Sequence, residues 1–148
     1  MELNYKVEGL QQAIDKLQRA GKKLSSLKAW FKIAGLLVLE SVQDVIIKGG
    51  EPKWPGLKLA TLIRRGAGAK PLRDTGLLMN SLEPKVKRSD GIWDQKKTSL
   101  SVGTNVPYAR FHQFGEGWMK RPFMVLQKAY EEKITKALDE EVQRIMAT

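Results

Sequence analysis

The stretch from Ser25 to Lys48 constrains the fold most. Leu27, Phe31, Ala34, Leu37, Val38, Ser41, Val42 and Val45 recur at helical spacing and make one face, while Trp30, Ile33, Leu36, Ile46 and Ile47 widen it beyond a single stripe. A helix apolar over so much of its circumference has to be covered on more than one side. It is either central to the core or also packs on another subunit. Ser25-Ser26 offers an N-terminal cap and Gly49-Gly50 a terminator, which bound the helix.

The flanking segments supply what such a helix packs against. Leu3, Tyr5 and Val7 alternate with polar residues as in a half-buried strand that Glu8-Gly9 ends. Leu10, Ala13, Ile14, Leu17 and Ala20 then fall at helical spacing, with Gly21 as the stop. From Gly49 to about Pro71 the composition turns to glycine, proline and cations, with one short helical candidate at Leu57–Arg65; this reads as a long, flexible basic loop. Asp74-Thr75 predicts a helix cap for a short turn through Leu82, and Glu83–Arg88 is a strand candidate around Val86. Ser89-Asp90-Gly91 marks a turn. Ile92-Trp93 and Leu100-Ser101-Val102 are strand pieces split by a polar stretch at Gln95–Thr98. Val102–Gly115 reads as strand, turn, aromatic segment and turn, and after Arg121-Pro122-Phe123 a terminal helix carries Leu126, Ala129, Tyr130, Ile134, Ala137, Leu138, Val142 and Ile145. Strands and helices that are segregated rather than alternating predict an α+β fold: a small antiparallel sheet against two long helices and a C-terminal helix, with a long basic loop. At 148 residues and 42% hydrophobic content, residues 1–148 are expected to form one domain with a flexible loop at 49–71.

Charge and composition narrow the function. The net charge is +10, and residues 48–97, with 12 basic and 5 acidic side chains, carry +7 of it, whereas residues 124–148 carry −1. Such a middle attracts polyanions, either nucleic acid or an acidic protein surface, or is a solvated loop face. The absence of cysteine excludes disulfides, thiol nucleophiles and thiolate metal sites, and a single histidine disfavours zinc. The N-terminus lacks the pattern of a secretory signal. Ala34–Leu39, bracketed by Lys32 and Glu40, is far too short to span a bilayer. A soluble protein without membrane partner, metal or cofactor is expected.

Several constellations suggest chemistry and fail on context. Asp74-Thr75-Gly76 has the triplet of an aspartic protease, but that chemistry needs an Asp embedded in apolar strand, and here Arg73 and the basic loop precede it. Gly66–Pro71 lacks phosphate-loop spacing, and Pro71 breaks the helix such a loop requires. His112, among Tyr108, Phe111 and Phe114, has neither a second histidine nor a cysteine nearby and reads as a core or interface histidine. Trp54, Trp93 and Trp118 stand beside cations, a pairing that serves base stacking or protein interfaces; without a nucleic-acid fold motif, interface is preferred.

Trp54-Pro55-Gly56-Leu57 with Thr61, Leu72–Leu78 with Ser81-Leu82, Val102-Gly103-Thr104 with Tyr108-Ala109 and His112–Gly115, and Arg121-Pro122-Phe123 together resemble the phage virion morphogenesis family, which holds Mu-like morphogenesis and tail completion proteins. The polar insert Asp94–Lys97 departs from that pattern. The resemblance implies a non-enzymatic structural protein of a phage or prophage virion, assembled in the host cytoplasm. Its role would be tail completion and head–tail joining as an oligomeric ring at the neck or tail end, in contact with copies of itself and neighbouring tail and neck proteins. Interface residues are then expected at Trp54, Leu57, Tyr108, His112, Trp118, Arg121 and Phe123. Weak, non-specific DNA contact is expected from Arg64, Arg65, Lys85, Lys87 and Arg88 lining a channel. The competing reading is a stand-alone nucleic-acid-binding module that uses the basic middle. Because proline holds Arg121 extended and suits a helix's first turn, Phe123 is expected to be buried where the last helix begins.

Overall fold

The chain runs β1 (Glu2–Leu3), α1 (Leu10–Arg19), a 3-10 turn (Leu24–Leu27), α2 (Lys28–Lys48), α3 (Leu59–Arg65), α4 (Leu77–Ser81), β2 (Gly91–Gln95), β3 (Leu100–Thr104), α5 (Ala109–Phe114) and α6 (Lys128–Met146). These elements come from a computed structural model that describes residues 2–3, 5–83, 90–117 and 119–148. The three strands form one antiparallel sheet in the order β1-β3-β2, with Trp93 opposite Val102 and Leu3 opposite Val102 on the other edge. The architecture is α+β, as the segregated pattern predicts.

The apolar excess of α2 places it at the centre. Trp30, Phe31, Ala34, Val38, Val42, Val45 and Ile46 are buried on an arc facing both the sheet and α6. α6 contributes Ile134, Leu138, Val142 and Ile145, one apolar stripe at helical spacing, and the Trp30 indole Nε1 donates to the Ile134 carbonyl at 3.2 Å. α1 closes the same core with Ile14 and Leu17. On its sheet side α2 carries Gly35. A Cβ there would stand 2.5 Å from Leu100 Cδ2 and 2.6 Å from the Trp93 ring, so the missing side chain is what lets the hairpin lie close on the helix.

Local chemistry moves several boundaries. Ser25 and Ser26 lie inside the 3-10 turn and α2 has no side-chain cap, because the preceding turn already lines up the backbone that a cap would otherwise start. The N-terminal strand covers two residues, and the chain then turns through Val7, whose carbonyl accepts from Leu10 N at 3.3 Å. Asp74 is not the cap of α4. It pairs with Arg65 at 3.1 Å, and Thr75 Oγ1 instead accepts from Leu77 N at 3.3 Å across Gly76. The terminal helix starts at Lys128, not next to Pro122: residues 119–127 run without helix or strand, and Pro122 lies in that strap rather than in a first helical turn. The reason is Ser41 on α2, whose Oγ donates to the Val125 carbonyl and accepts from Gln127 N, holding the strap along α2 until the chain is free to coil. The strand candidate 83–88 falls, from residue 84 onward, outside the described residues.

Candidate functional site

The separated motifs of the sequence bond to one another. After α2 ends at Gly49, whose φ is 86°, the chain turns so that Trp54 N donates to the Gly49 carbonyl at 2.8 Å and the Trp54 ring covers Gly50. The indole Nε1 of Trp54 donates to the Pro122 carbonyl at 3.1 Å. Arg121, in turn, reaches back: its guanidinium donates to the Pro55 carbonyl at 3.2 Å and the Gly56 carbonyl at 3.1 Å. Two loops far apart in sequence are thereby clasped from both sides. Burial of the cation lowers the Arg121 pKa, a cost that bonds to two backbone carbonyls offset.

The strap on the other side of this clasp is held by α5. Gln113 Oε1 accepts from both Phe123 N and Met124 N at 2.9 Å, and Arg121 N donates to the His112 carbonyl at 2.8 Å. Phe123 is buried, as proposed from the Arg-Pro-Phe triplet. A third connection joins the Leu72–Leu82 and Val102–Thr104 motifs: Ser81 Oγ and Thr104 Oγ1 lie 2.7 Å apart in the interior, and Thr104 Oγ1 accepts from Val106 N. These hydroxyls satisfy each other and the backbone where the chain leaves β3.

His112 sits half-buried in α5 with Tyr108 edge-on at 6.0 Å, and its Nδ1 is buried without a hydrogen-bond partner among the described residues. Burial first, and the nearby Arg121 cation second, hold its pKa below the ordinary 6.5. The folded chain therefore keeps this ring neutral where the unfolded chain has begun to take up a proton. Stability from this site is complete above the unfolded value of about 6.5 and is lost as pH falls through the lower folded value. His112→Gln is expected to flatten the pH dependence of the denaturation midpoint over that window; equal slopes for the two chains would show that other groups set it.

Sequence reasoning therefore named residues that the structure sorts into two kinds. Trp54, Arg121 and Phe123 are buried within the chain, where they hold the loop 49–58 to the strap 119–127. Tyr108 is exposed, and Leu57 and His112 are partly so. Trp118, Lys85, Lys87 and Arg88 lie outside the described residues. Of the proposed cations, Arg64 is exposed and Arg65 is drawn to Asp74; with Lys70 and Arg73 they line an open hollow of about 750 Å³. What the sequence reading missed is apolar: Leu59 and Ile63 project from α3, none of whose residues is buried, and Phe114 is exposed at the end of α5. Their signal was present as an i, i+4 pair of aliphatic side chains inside a cationic stretch. Among the described residues no cluster of acids and histidine is arranged to hold a metal, and no helix is long and apolar enough to cross a membrane.

The model of the phage virion morphogenesis family matches residues 5–143, and the chain belongs to that family. It is also similar to the Mu-like prophage FluMu G protein 2 of Haemophilus influenzae, at 30% identity over 154 aligned residues that cover 99% of this chain and 97% of that protein. No solved structure is a significant match.

Proposed function

From membership of the phage virion morphogenesis family, a structural assembly family, we propose that this chain completes the tail and joins it to the head, as an oligomeric ring at the neck or tail end of a phage or prophage virion assembled in the host cytoplasm. The supporting observation is the distribution of apolar surface. Trp54, Arg121 and Phe123 are buried within the chain at the two-loop clasp, while Ile33, Ile47, Leu59, Ile63 and Phe114 stand in solvent on helices. Ile33 with Ile47 on α2 and Leu59 with Ile63 on α3 each recur at helical spacing, and contiguous apolar stripes of that kind mark surfaces that other proteins cover. In such a ring the hollow lined by Arg65, Lys70, Arg73 and Asp74 faces passing DNA and gives weak, sequence-independent, salt-sensitive contact.

Electron microscopy of particles from a phage or prophage lacking the protein tests this reading: separate heads and tails are expected, and supplying the chain in trans restores joined particles. Normal joined particles in its absence would remove the proposal. The nucleic-acid module is distinguished by titrating DNA at two salt concentrations. Arg64→Gln with Arg65→Gln is expected to abolish low-salt retention, with unchanged thermal melting as the check on the fold, because Arg65 is bonded to Asp74 and to the Lys70 carbonyl. Sub-micromolar binding to one preferred sequence at physiological salt would favour the stand-alone nucleic-acid binder.

A further inference from the structure

Among the described residues two helix faces are left uncovered, and they differ in charge. On α2 the side turned from the core carries Ala29, Ile33, Leu36, Glu40 and Ile47 at helical spacing; Ile33 is 45% and Ile47 54% exposed. Glu40 lies near the middle of this face, with Asp44 beside it and Lys32 on the far edge. On α3, Leu59 is 73% and Ile63 76% exposed, Ala60 completes the stripe, and Lys58 and Arg64 flank it. Arg65 points elsewhere, to Asp74.

We propose that α3 of one copy docks on the outer face of α2 of the next, a head-to-tail contact with Leu59 and Ile63 seated among Ile33, Leu36 and Ile47 and with Arg64 against Glu40. The occupant follows from charge. A two-fold pairing of α2 on α2 brings the two Glu40 carboxylates together near its axis, and a two-fold pairing of α3 on α3 opposes Lys58 of each copy to Arg64 of the other, cation against cation. The unlike pairing alone matches cation to acid while covering both apolar stripes. Size agrees as well: α3 is about 10 Å long and fits within the roughly 30 Å of α2. A contact between two different surfaces of one chain is heterologous, so it propagates and closes into a ring when the rotation between copies permits. The inference deepens the ring reading above and rests on it for the biological setting, although the contact itself is measurable on the purified chain.

The experiment blocks each surface separately. One variant carries Leu59→Asp and Ile63→Asp, the other Ile33→Asp and Ile47→Asp; all four side chains are exposed, and unchanged thermal melting certifies the fold. In sedimentation, the wild type is expected to grow with concentration, and each variant to associate at least about tenfold more weakly, since each loses the burial of two aliphatic side chains. An equimolar mixture of the two variants is expected to form a dimer and nothing larger, because one intact α3 meets one intact α2 and the other two surfaces are blocked. Charge reversal gives a second reading: Glu40→Arg and Arg64→Glu each weaken association, and the doubly reversed chain regains it. A wild type that stays monomeric up to about 1 mM, a mixture that stays monomeric, or association untouched by either variant overturns the contact. So does DNA retention that depends on Leu59 and Ile63 in a chain that remains monomeric. The virion reading is scored independently in the phage: if the mixture dimerises as expected while both variants still join heads to tails, the contact stands and the ring in the virion falls.

Discussion

Phe123→Ala is expected to lower the free energy of unfolding by about 3–5 kcal/mol, the range for removing an aromatic ring from a packed interior. The side chain is 0% exposed. Its backbone N–H is fixed by Gln113 Oε1, so the strap cannot slide to fill the space left behind. The effect should appear as a shift of the denaturant midpoint with little change in slope, because the surface exposed on unfolding stays nearly the same. A midpoint within experimental error of the wild type would mean that the ring does not carry this part of the core. If the proposed function holds, head–tail joining falls with stability, since the strap that Phe123 anchors also carries the arginine that clasps the loop 49–58.

A second large effect is expected at Gly50, where alanine fails on two counts. The backbone there has φ +104°, a left-handed conformation that side chains resist, and the new Cβ would stand 2.5 Å from Cδ1 and Cγ of Trp54. The indole has nowhere to go: its Nε1 is bonded to the Pro122 carbonyl and its backbone N–H to that of Gly49. Backbone strain and overpacking together are expected to cost about 2–5 kcal/mol and to release Trp54 from the strap. Gly68→Ala is the control from the same glycine-rich region. A Cβ at Gly68 meets nothing within 4 Å and its φ is not left-handed, so its midpoint should move by no more than about 0.5 kcal/mol in either direction. Similar losses for the two variants would show that the segment as a whole is sensitive to alanine, and that the Gly50–Trp54 approach is not special.

Phe123→Ala and Gly50→Ala both loosen the strap's hold on the loop 49–58, a contact such as Trp54 to Pro122 whose partners lie far apart along the chain, and that distance divides what the sequence shows from what it does not. Hydrophobic period and turn residues act within a few positions, so they suffice for α1, α2, the β2–β3 hairpin, the short α3 and the α+β class. They also pointed to the surplus on α2, since Ile33, Leu36 and Ile47 exceed what one core-facing stripe needs. Where an outcome depended on a distant competitor, local rules erred. Asp74 has the chemistry of a cap, but Arg65 offers it an ion pair, and the strap after Pro122 has the chemistry of a helix start, but Ser41 holds it uncoiled. The same holds for the motif residues. Trp54, Arg121 and Phe123 are the residue types that anchor interfaces, and nothing local distinguishes an aromatic that meets another chain from one that meets Pro122 of its own. The sequence by itself determined the elements, the class, the basic middle and the family pattern, because these are properties of order and spacing. The tertiary structure alone decided which aromatics are interior and which aliphatics remain in solvent, because burial depends on which segments meet, and that is fixed by hydrogen bonds such as Trp54 to Pro122 and Arg121 to Pro55 that close loops of more than sixty residues.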